Sequence, residues 1–179
     1  MSRYFAAAPW PKLLTVMSAG ATLLLLGVGY AAYRVVPVPA GFTHLFGLAV
    51  ALVFPLILAF SLLFVVRGYV VERDALSVQR LLWRTRLPLE GLSRILVTPG
   101  ICKGSIRIMG NGGLFAFTGL YQNRTLGRYR LFATDLSRSV VLRLQSRTIV
   151  VTPAIPNDFV ECLRSLFPHT EIVREDRHP

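Results

Sequence analysis

The sequence predicts an α+β membrane protein: a helical hairpin in the bilayer, followed by one small basic domain of antiparallel strands closed by a C-terminal α-helix. Three observations carry this. Charge is distributed unevenly, because residues 1–66 hold no Asp or Glu and only Arg3, Lys12 and Arg34, while residues 67–179 hold all nine acidic and seventeen of the twenty basic residues. Two long uncharged apolar runs lie in the first part. From Gly68 onward the pattern changes to short apolar runs rich in Val, Ile, Leu and Tyr, broken by turn residues, which is the pattern of β-strands.

With 179 residues, 53% of them hydrophobic, and a mean hydropathy of +0.53, the chain is too apolar for an ordinary soluble domain and too short for several. The apolar runs cover residues 13–33 and 45–66, which are 21 and 22 residues without a charge. At about 1.5 Å per residue, each is long enough to cross a hydrocarbon layer of roughly 30 Å. The first run exceeds the roughly 7 to 15 apolar residues of a signal-peptide core, and a second run follows it, so it reads as a retained anchor. The connector 34–44, with Pro37, Pro39 and Gly41, is turn-rich and too short to hold a domain.

Positive charge near the ends sets the expected orientation: Arg3 and Lys12 precede the first run, Arg67 and Arg73 follow the second, and the connector offers only Arg34. Both termini are therefore expected in the cytoplasm, on a multi-pass protein of the inner (cytoplasmic) membrane. The expected organisation is a cytoplasmic segment 1–12, a transmembrane hairpin 13–66, a β domain 67–168 and a polar tail 169–179 without fixed structure.

In the second run Gly47, Ala51, Pro55 and Ala59 recur every four residues, a stripe of small side chains on one helix face. Gly20, Gly27 and Ala31 give the first run a comparable face. Such faces suit either a dimerisation surface or, more simply, packing of the two spans on each other. Pro55 is expected to kink its helix. Neither run carries an ionisable residue, which argues against a transporter or channel.

Seven strands are expected, at 69–72, 75–81, 84–88, 91–98, 128–133, 140–145 and 148–152, with tight turns at Arg73-Asp74 and Ser146-Arg147. The last element differs in period. Phe159, Leu163, Leu166 and Phe167 recur at three- and four-residue intervals after Pro156-Asn157-Asp158, predicting an amphipathic helix with Asn157 or Asp158 as cap and Pro168 at its end. That helix would cover the open end or face of the sheet.

The stretch Gly68-Tyr69-Val70-Val71-Glu72-Arg73-Asp74-Ala75-Leu76-Ser77-Val78, then residues 83–92 from Trp83-Arg84-Thr85 to Leu92, resembles the opening of bacterial pleckstrin-homology-like domains. Leu126-Gly127-Arg128-Tyr129-Arg130, Ala133-Thr134-Asp135, Ile149-Val150-Val151-Thr152-Pro153, and Asn157-Asp158-Phe159 with Leu163 resemble the closing section. The likeness spans residues 68–167. It implies a membrane-anchored type with a partly open, bent, seven-stranded antiparallel barrel capped by a C-terminal helix.

Function is expected in binding rather than catalysis. The β part carries seventeen basic against nine acidic residues, so an anionic partner would be attracted, and the nearest is the leaflet to which the domain is tethered. Arg67, Arg73, Arg84, Arg86, Lys103, Arg107, Arg124, Arg128 and Arg130 are the candidates for anionic-surface contact. The simpler alternative is a solvated surface of an Arg-rich protein. Relatives that hold inositol phosphates are basic in the first strand-joining loop, whereas Glu72-Arg73-Asp74 places two acids around one Arg, so specific headgroup recognition is not expected there.

The Gly-rich segment Gly110-Asn111-Gly112-Gly113, continuing to Gly119, lacks the Lys-Ser or Lys-Thr pair of a nucleotide loop and reads as a long loop. Tyr121, Tyr129 and Phe132 near Arg124–Arg130 could imitate a stacking platform, yet no nucleic-acid motif accompanies them and such rings usually fill a β core. Cys102 and Cys162 are expected to be reduced thiols; Cys102, beside Lys103, could have a lowered pKa but is expected to be an ordinary thiol. No nucleophile, base and acid set and no paired metal ligands are visible, so neither enzyme activity, cofactor, metal nor small-molecule substrate is expected. The partners expected are the lipid bilayer and a membrane or cytoplasmic protein. The function expected is a noncatalytic interaction module, or alternatively a structural or accessory subunit of a membrane complex joined through the hairpin.

Overall fold

The computed structural model describes residues 2–35 and 42–174, with the side chains at 33, 35, 42–47, 50 and 51 outside that description. The elements in chain order are β1 (Arg3–Ala6), α1 (Lys12–Val35), α2 (Phe42–Leu63), β2 (Gly68–Val71), β3 (Ala75–Gln79), β4 (Arg84–Pro88), β5 (Leu92–Val97), β6 (Ile106–Gly112), β7 (Phe117–Asn123), β8 (Gly127–Ala133), β9 (Val140–Leu144), β10 (Thr148–Val151), α3 (Pro156–Leu166) and β11 (Glu171–Arg174). Residues 36–41 of the expected connector, with Pro37, Pro39 and Gly41, and residues 175–179 of the expected tail lie outside the described residues.

The seven expected strands are all present. Four more accompany them, and the whole is two facing sheets rather than a closed barrel. One sheet has four strands in the order β1-β2-β3-β4, and the other seven in the order β11-β5-β9-β10-β8-β7-β6. Two pairings are parallel: β10 slots beside β8 after the β9–β10 hairpin turns back, and β11 adds to the edge of β5.

The main core fills the space between the sheets. Tyr69, Val71, Leu76 and Leu87 from the small sheet meet Ile95, Leu142, Ile149 and Val151 from the large one. α3 completes this core with Phe159, Val160, Cys162 and Leu163, burying one stripe of its surface. Pro156 occupies its first turn, and Ile155 takes the capping position without a side-chain bond. Asn157 and Asp158 therefore sit inside the helix rather than before it, because Pro is preorganised for the first turn and starts the helix earlier. Leu131, Val141 and Val150 point to the opposite face of the large sheet, where they pack with Tyr129 and the 98–105 segment through Ile101 and Cys102. The middle of that sheet is thus covered on both sides.

The N-terminal residues belong to the domain. β1 pairs antiparallel with β2, and Ala7 bridges to Pro153. Ala8 N donates to Thr152 O at 2.8 Å, Thr134 Oγ1 donates to Ala8 O at 2.6 Å, and Phe5 is buried edge-on to Phe159 with ring centroids 5.3 Å apart. The 1–12 stretch is therefore mostly a structural edge of the β unit. Likewise part of the expected disordered tail is β11, because Ile172 and Val173 can join the open edge of β5.

α1 is long and apolar enough to cross a membrane. It packs against α2, and its covered stripe runs through Leu14, Ser18, Ala21, Thr22, Leu25, Gly29 and Ala32. Ser18 is buried and tied to the β6–β7 tip: its hydroxyl accepts from Phe115 N at 3.0 Å and donates to Gly113 O at 3.4 Å. α2 contains Pro55 and ends at Leu63, not Val66. Val66 is 2% exposed and belongs to the β core, since an apolar side chain satisfies a protein interior as well as lipid.

Candidate functional site

The small residues of α1 do not lie on the side that packs against α2. Gly20, Gly27 and Ala31 are exposed, and a Cβ at Gly20 or Gly27 would meet nothing within 4 Å. They stand two residues from Ser18, Leu25 and Gly29, roughly 200° around a helix of 3.6 residues per turn, so the covered side is the other one. On α2, Ala59 is exposed, Pro55 half-buried and Leu58 buried, while the side chains of Gly47 and Ala51 are outside the described ones.

The candidate arginines spread over several elements. Arg86 on β4 is tied to Asp74 at 2.8 Å and to Glu72 at 3.5 Å, which neutralises the β2–β3 turn. Arg67 lies at the α2–β2 junction, Arg73 at that turn, Arg84 at the start of β4, Lys103 in the 98–105 segment, Arg124 in the β7–β8 turn and Arg128 on β8, all exposed. Arg130 on β8 lines a cleft of about 850 Å³ between the end of α2 and the β6–β7–β8 end of the large sheet, whereas Arg107 on β6 pairs with Tyr121 and lays its guanidinium against Gly112 on the opposite face.

A second arginine of this cleft had not been singled out. Arg80, just beyond β3, is 8% exposed. Its Nη1 donates to Phe64 O at 2.9 Å and its Nε to Thr85 Oγ1 at 3.2 Å. The guanidinium lies 5.3 Å from the Phe64 ring, 5.9 Å from Trp83 and 5.5 Å from Phe132. A cation at this place satisfies a carbonyl left open at the end of α2 and is favoured by the helix dipole. Burial lowers its pKa below the usual arginine value, although a guanidinium stays charged even so. The neighbouring Leu81-Leu82-Trp83 was the available signal: an Arg set against an apolar, aromatic hairpin tip.

The cleft's other lining is largely apolar, with Phe60, Phe64, Met109, Leu114, Leu120 and Phe132, and no Asp or Glu is among its lining residues. Its sheet wall is shaped by a glycine pair. Gly110 and Gly119 face each other across β6 and β7 with φ of +113° and +139°. A Cβ at Gly110 would collide with the Thr118 carbonyl, and one at Gly119 with the Met109 carbonyl, so only glycine allows this close approach. The Gly-rich segment is thus mostly a β-hairpin rather than a long loop. Its local alternation is erased by the glycines and by a bulge between Arg107 and Met109.

A smaller cleft of about 340 Å³ lies on the opposite face of the sheet, lined in part by Cys102, Ser105, Arg107 and Tyr129. Burial raises the Cys102 pKa, opposite to a reactive thiol, and its Sγ lies 3.9 Å from Ser139 Oγ. Cys162 is also buried, and burial raises its pKa too. Tyr121, Tyr129 and Phe132 are 6%, 1% and 5% exposed, so these rings fill cores and present no stacking platform. Tyr129 donates to Ser105 Oγ at 2.6 Å and burial raises its pKa. Tyr69 donates to Phe132 O at 2.7 Å and accepts from Thr152 N at 3.1 Å, and burial pushes its pKa up to about 12. Among the described residues no group of three or more His, Cys, Asp or Glu is gathered for a metal.

Two facing sheets closed by a C-terminal helix, with a cationic cleft at one end, define a small β module of the pleckstrin-homology kind. Residues 67–167 match the family model of the bacterial PH domain, and the chain belongs to that family. The match covers more than half of the chain. No curated protein and no solved structure gave a match. PH domains are in general noncatalytic binding modules, which makes a binding role the one to test.

Proposed function

We propose that the protein is a membrane-anchored, noncatalytic interaction module whose α1 and α2 both cross the inner membrane and whose PH-like domain works at the cytoplasmic face, on a protein partner or the anionic leaflet. The observation that carries this is the pairing of β1 with β2. The chain leaves the domain before α1 and re-enters it after α2. If α1 crosses a bilayer, the strands can meet only when the number of crossings is even, so α2 must bring the chain back. Trp10, before α1, packs on Phe115 with ring centroids 6.0 Å apart, and Trp83 packs edge-on against Phe64 at 5.3 Å. Both tryptophans thus lie at the domain-proximal ends of the helix pair, a position that suits the membrane–water interface. The excess of arginine beside these ends supports the cytoplasmic side.

Extraction of membranes at alkaline pH tests the anchoring: the full chain stays in the pellet, and its recovery in the supernatant overturns the proposal. Protease added to inverted inner-membrane vesicles cleaves the domain, whereas protection there places it on the other side. A second role, as a structural or accessory subunit held by the helices, is favoured by the outward exposure of Gly20, Gly27 and Ala31. Replacing these three by Leu abolishes partner recovery under that role and leaves it unchanged under the first.

A further inference from the structure

We propose that the tip of the β6–β7 hairpin, residues 112–116, is a third membrane element, which sinks into the lipid leaflet beside α1 instead of standing in water. This rests on the membrane anchoring proposed above and deepens it by fixing how closely the domain sits on the bilayer.

Composition is the first reason. Residues 67–179 hold 26 charged side chains, yet the sixteen residues 108–123 hold none, the longest such stretch in that part of the chain. The β2–β3, β7–β8 and β9–β10 turns each carry an arginine, Arg73, Arg124 and Arg147. The β6–β7 tip takes its turn chemistry from Asn111, Gly112 and Gly113, and continues with Leu114, Phe115 and Ala116.

Hydrogen bonding is the second reason. Hydrocarbon offers the backbone no partner, so irregular chain is tolerated at membrane depth only where protein satisfies its polar groups. The tip meets this condition. Gly113 N donates to Ala116 O at 3.2 Å, Leu114 N to Asn111 Oδ1 at 3.0 Å and Phe115 N to Ser18 Oγ at 3.0 Å. The carbonyls of Gly113 and Leu114 accept from Ser18 Oγ at 3.4 Å and from Asn111 Nδ2 at 2.6 Å. Ser18 and Asn111 thus turn their polar atoms inward to the backbone of the tip.

Position is the third. Ser18 stands six residues beyond Lys12, about 9 Å along a helix that rises about 1.5 Å per residue. The 22 residues of α2 measure about 33 Å, close to the roughly 30 Å of the hydrocarbon layer, so its final turn lies at the edge of that layer. Leu114 and Met109 line a cleft together with Phe60 and Ser61 of this turn. Measured from either helix, the tip falls below the level at which the chain enters lipid. Arg107 lays its guanidinium against Gly112, where a long basic side chain keeps its stem on apolar surface and its head among the headgroups. The immersion is therefore shallow.

The test places the full chain in phosphatidylcholine vesicles, a neutral lipid, with a nitroxide label on Leu114→Cys or, in a second sample, on Thr125→Cys. Thr125 is exposed in the β7–β8 turn, at the opposite end of β7 from the tip, and the native Cys102 and Cys162 are buried away from the label. Spin relaxation by oxygen, which concentrates in hydrocarbon, is compared with relaxation by a water-soluble nickel chelate. The ratio of oxygen to nickel accessibility is severalfold higher at Leu114 than at Thr125. Met109→Cys, at a side chain 71% exposed, gives a shift in the same direction and decides the matter where Leu114→Cys fails to fold. A ratio equal to that at Thr125 overturns the proposal, and so does protection from both reagents, which marks a tip sealed within protein. Alkaline extraction of the same samples separates the two failures. A chain that stays in the membrane with a wet or sealed tip defeats this inference alone, and a chain that washes off defeats the anchoring as well.

Discussion

The large sheet has two ends that obey different rules. Around β9 and β10 it is covered on both faces: Leu142 and Ile149 enter the core shared with the small sheet and α3, and Val141 and Val150 enter the one under the 98–105 segment. Around β6 and β7 it overhangs toward α2, with exposed Ile106 and Met109, a bulge, and a glycine pair at positive φ. The first end derives its stability from burial. The second holds a shape, and several of its side chains stay exposed. Burial and exposure are thus divided between different lengths of the same sheet.

The largest effect that could break this contrast is at the covered end. Phe159→Ala empties the space between the sheets and is expected to cost about 3–5 kcal/mol, read from denaturant unfolding in detergent. A loss below about 1 kcal/mol would mean that α3 is not the plug of the core. At the overhanging end the comparable sensitivity lies in the backbone. Gly119→Ala meets the Met109 carbonyl and a φ of +139°, and should cost roughly 1–3 kcal/mol.

Tyr69 ties the two sheets together, and Tyr69→Phe leaves Phe132 O and Thr152 N without that partner, expected to cost roughly 1–3 kcal/mol. Its pH signature has a definite sign. The folded pKa is raised from 10.0 to about 12, so an unfolded chain gives up the phenolic proton first. The contribution is whole below pH 10 and falls as pH rises toward 12, by at most roughly 1.4 kcal/mol per unit. The Phe variant flattens this loss. Smallest of all, Met109→Ser removes an exposed apolar group and should change stability by no more than about 0.5 kcal/mol.

Much of the covered end was legible in the sequence because its residues repeat a strand's period, as in Val140–Leu144, or a helix's, as in Phe159–Leu163. β1 and β11 were not, since four-residue edge strands such as Arg3–Ala6 carry too little local pattern and exist only through their partners. β6 and β7 were hidden by their glycines. Of the nine candidates, eight arginines and Lys103, Arg130 enters the cleft while Arg107, two strands away, turns to the other face, because strand register decides the side on which a residue stands. Arg80 escaped notice because its role depends on Phe64 and Phe132, neither of which is its neighbour in sequence.

The pairing of β1 with β2 has a consequence for how the protein is made. In topological terms α1 and α2 are the loop of a two-stranded hairpin, so β1 emerges from the ribosome before its partner exists and must wait until both helices have been synthesised. Final assembly of the small sheet then reports that the helices have found their places. A bulky tag fused directly before Arg3 would press on that waiting strand, whereas one after Arg174 would act only on the far edge of the other sheet.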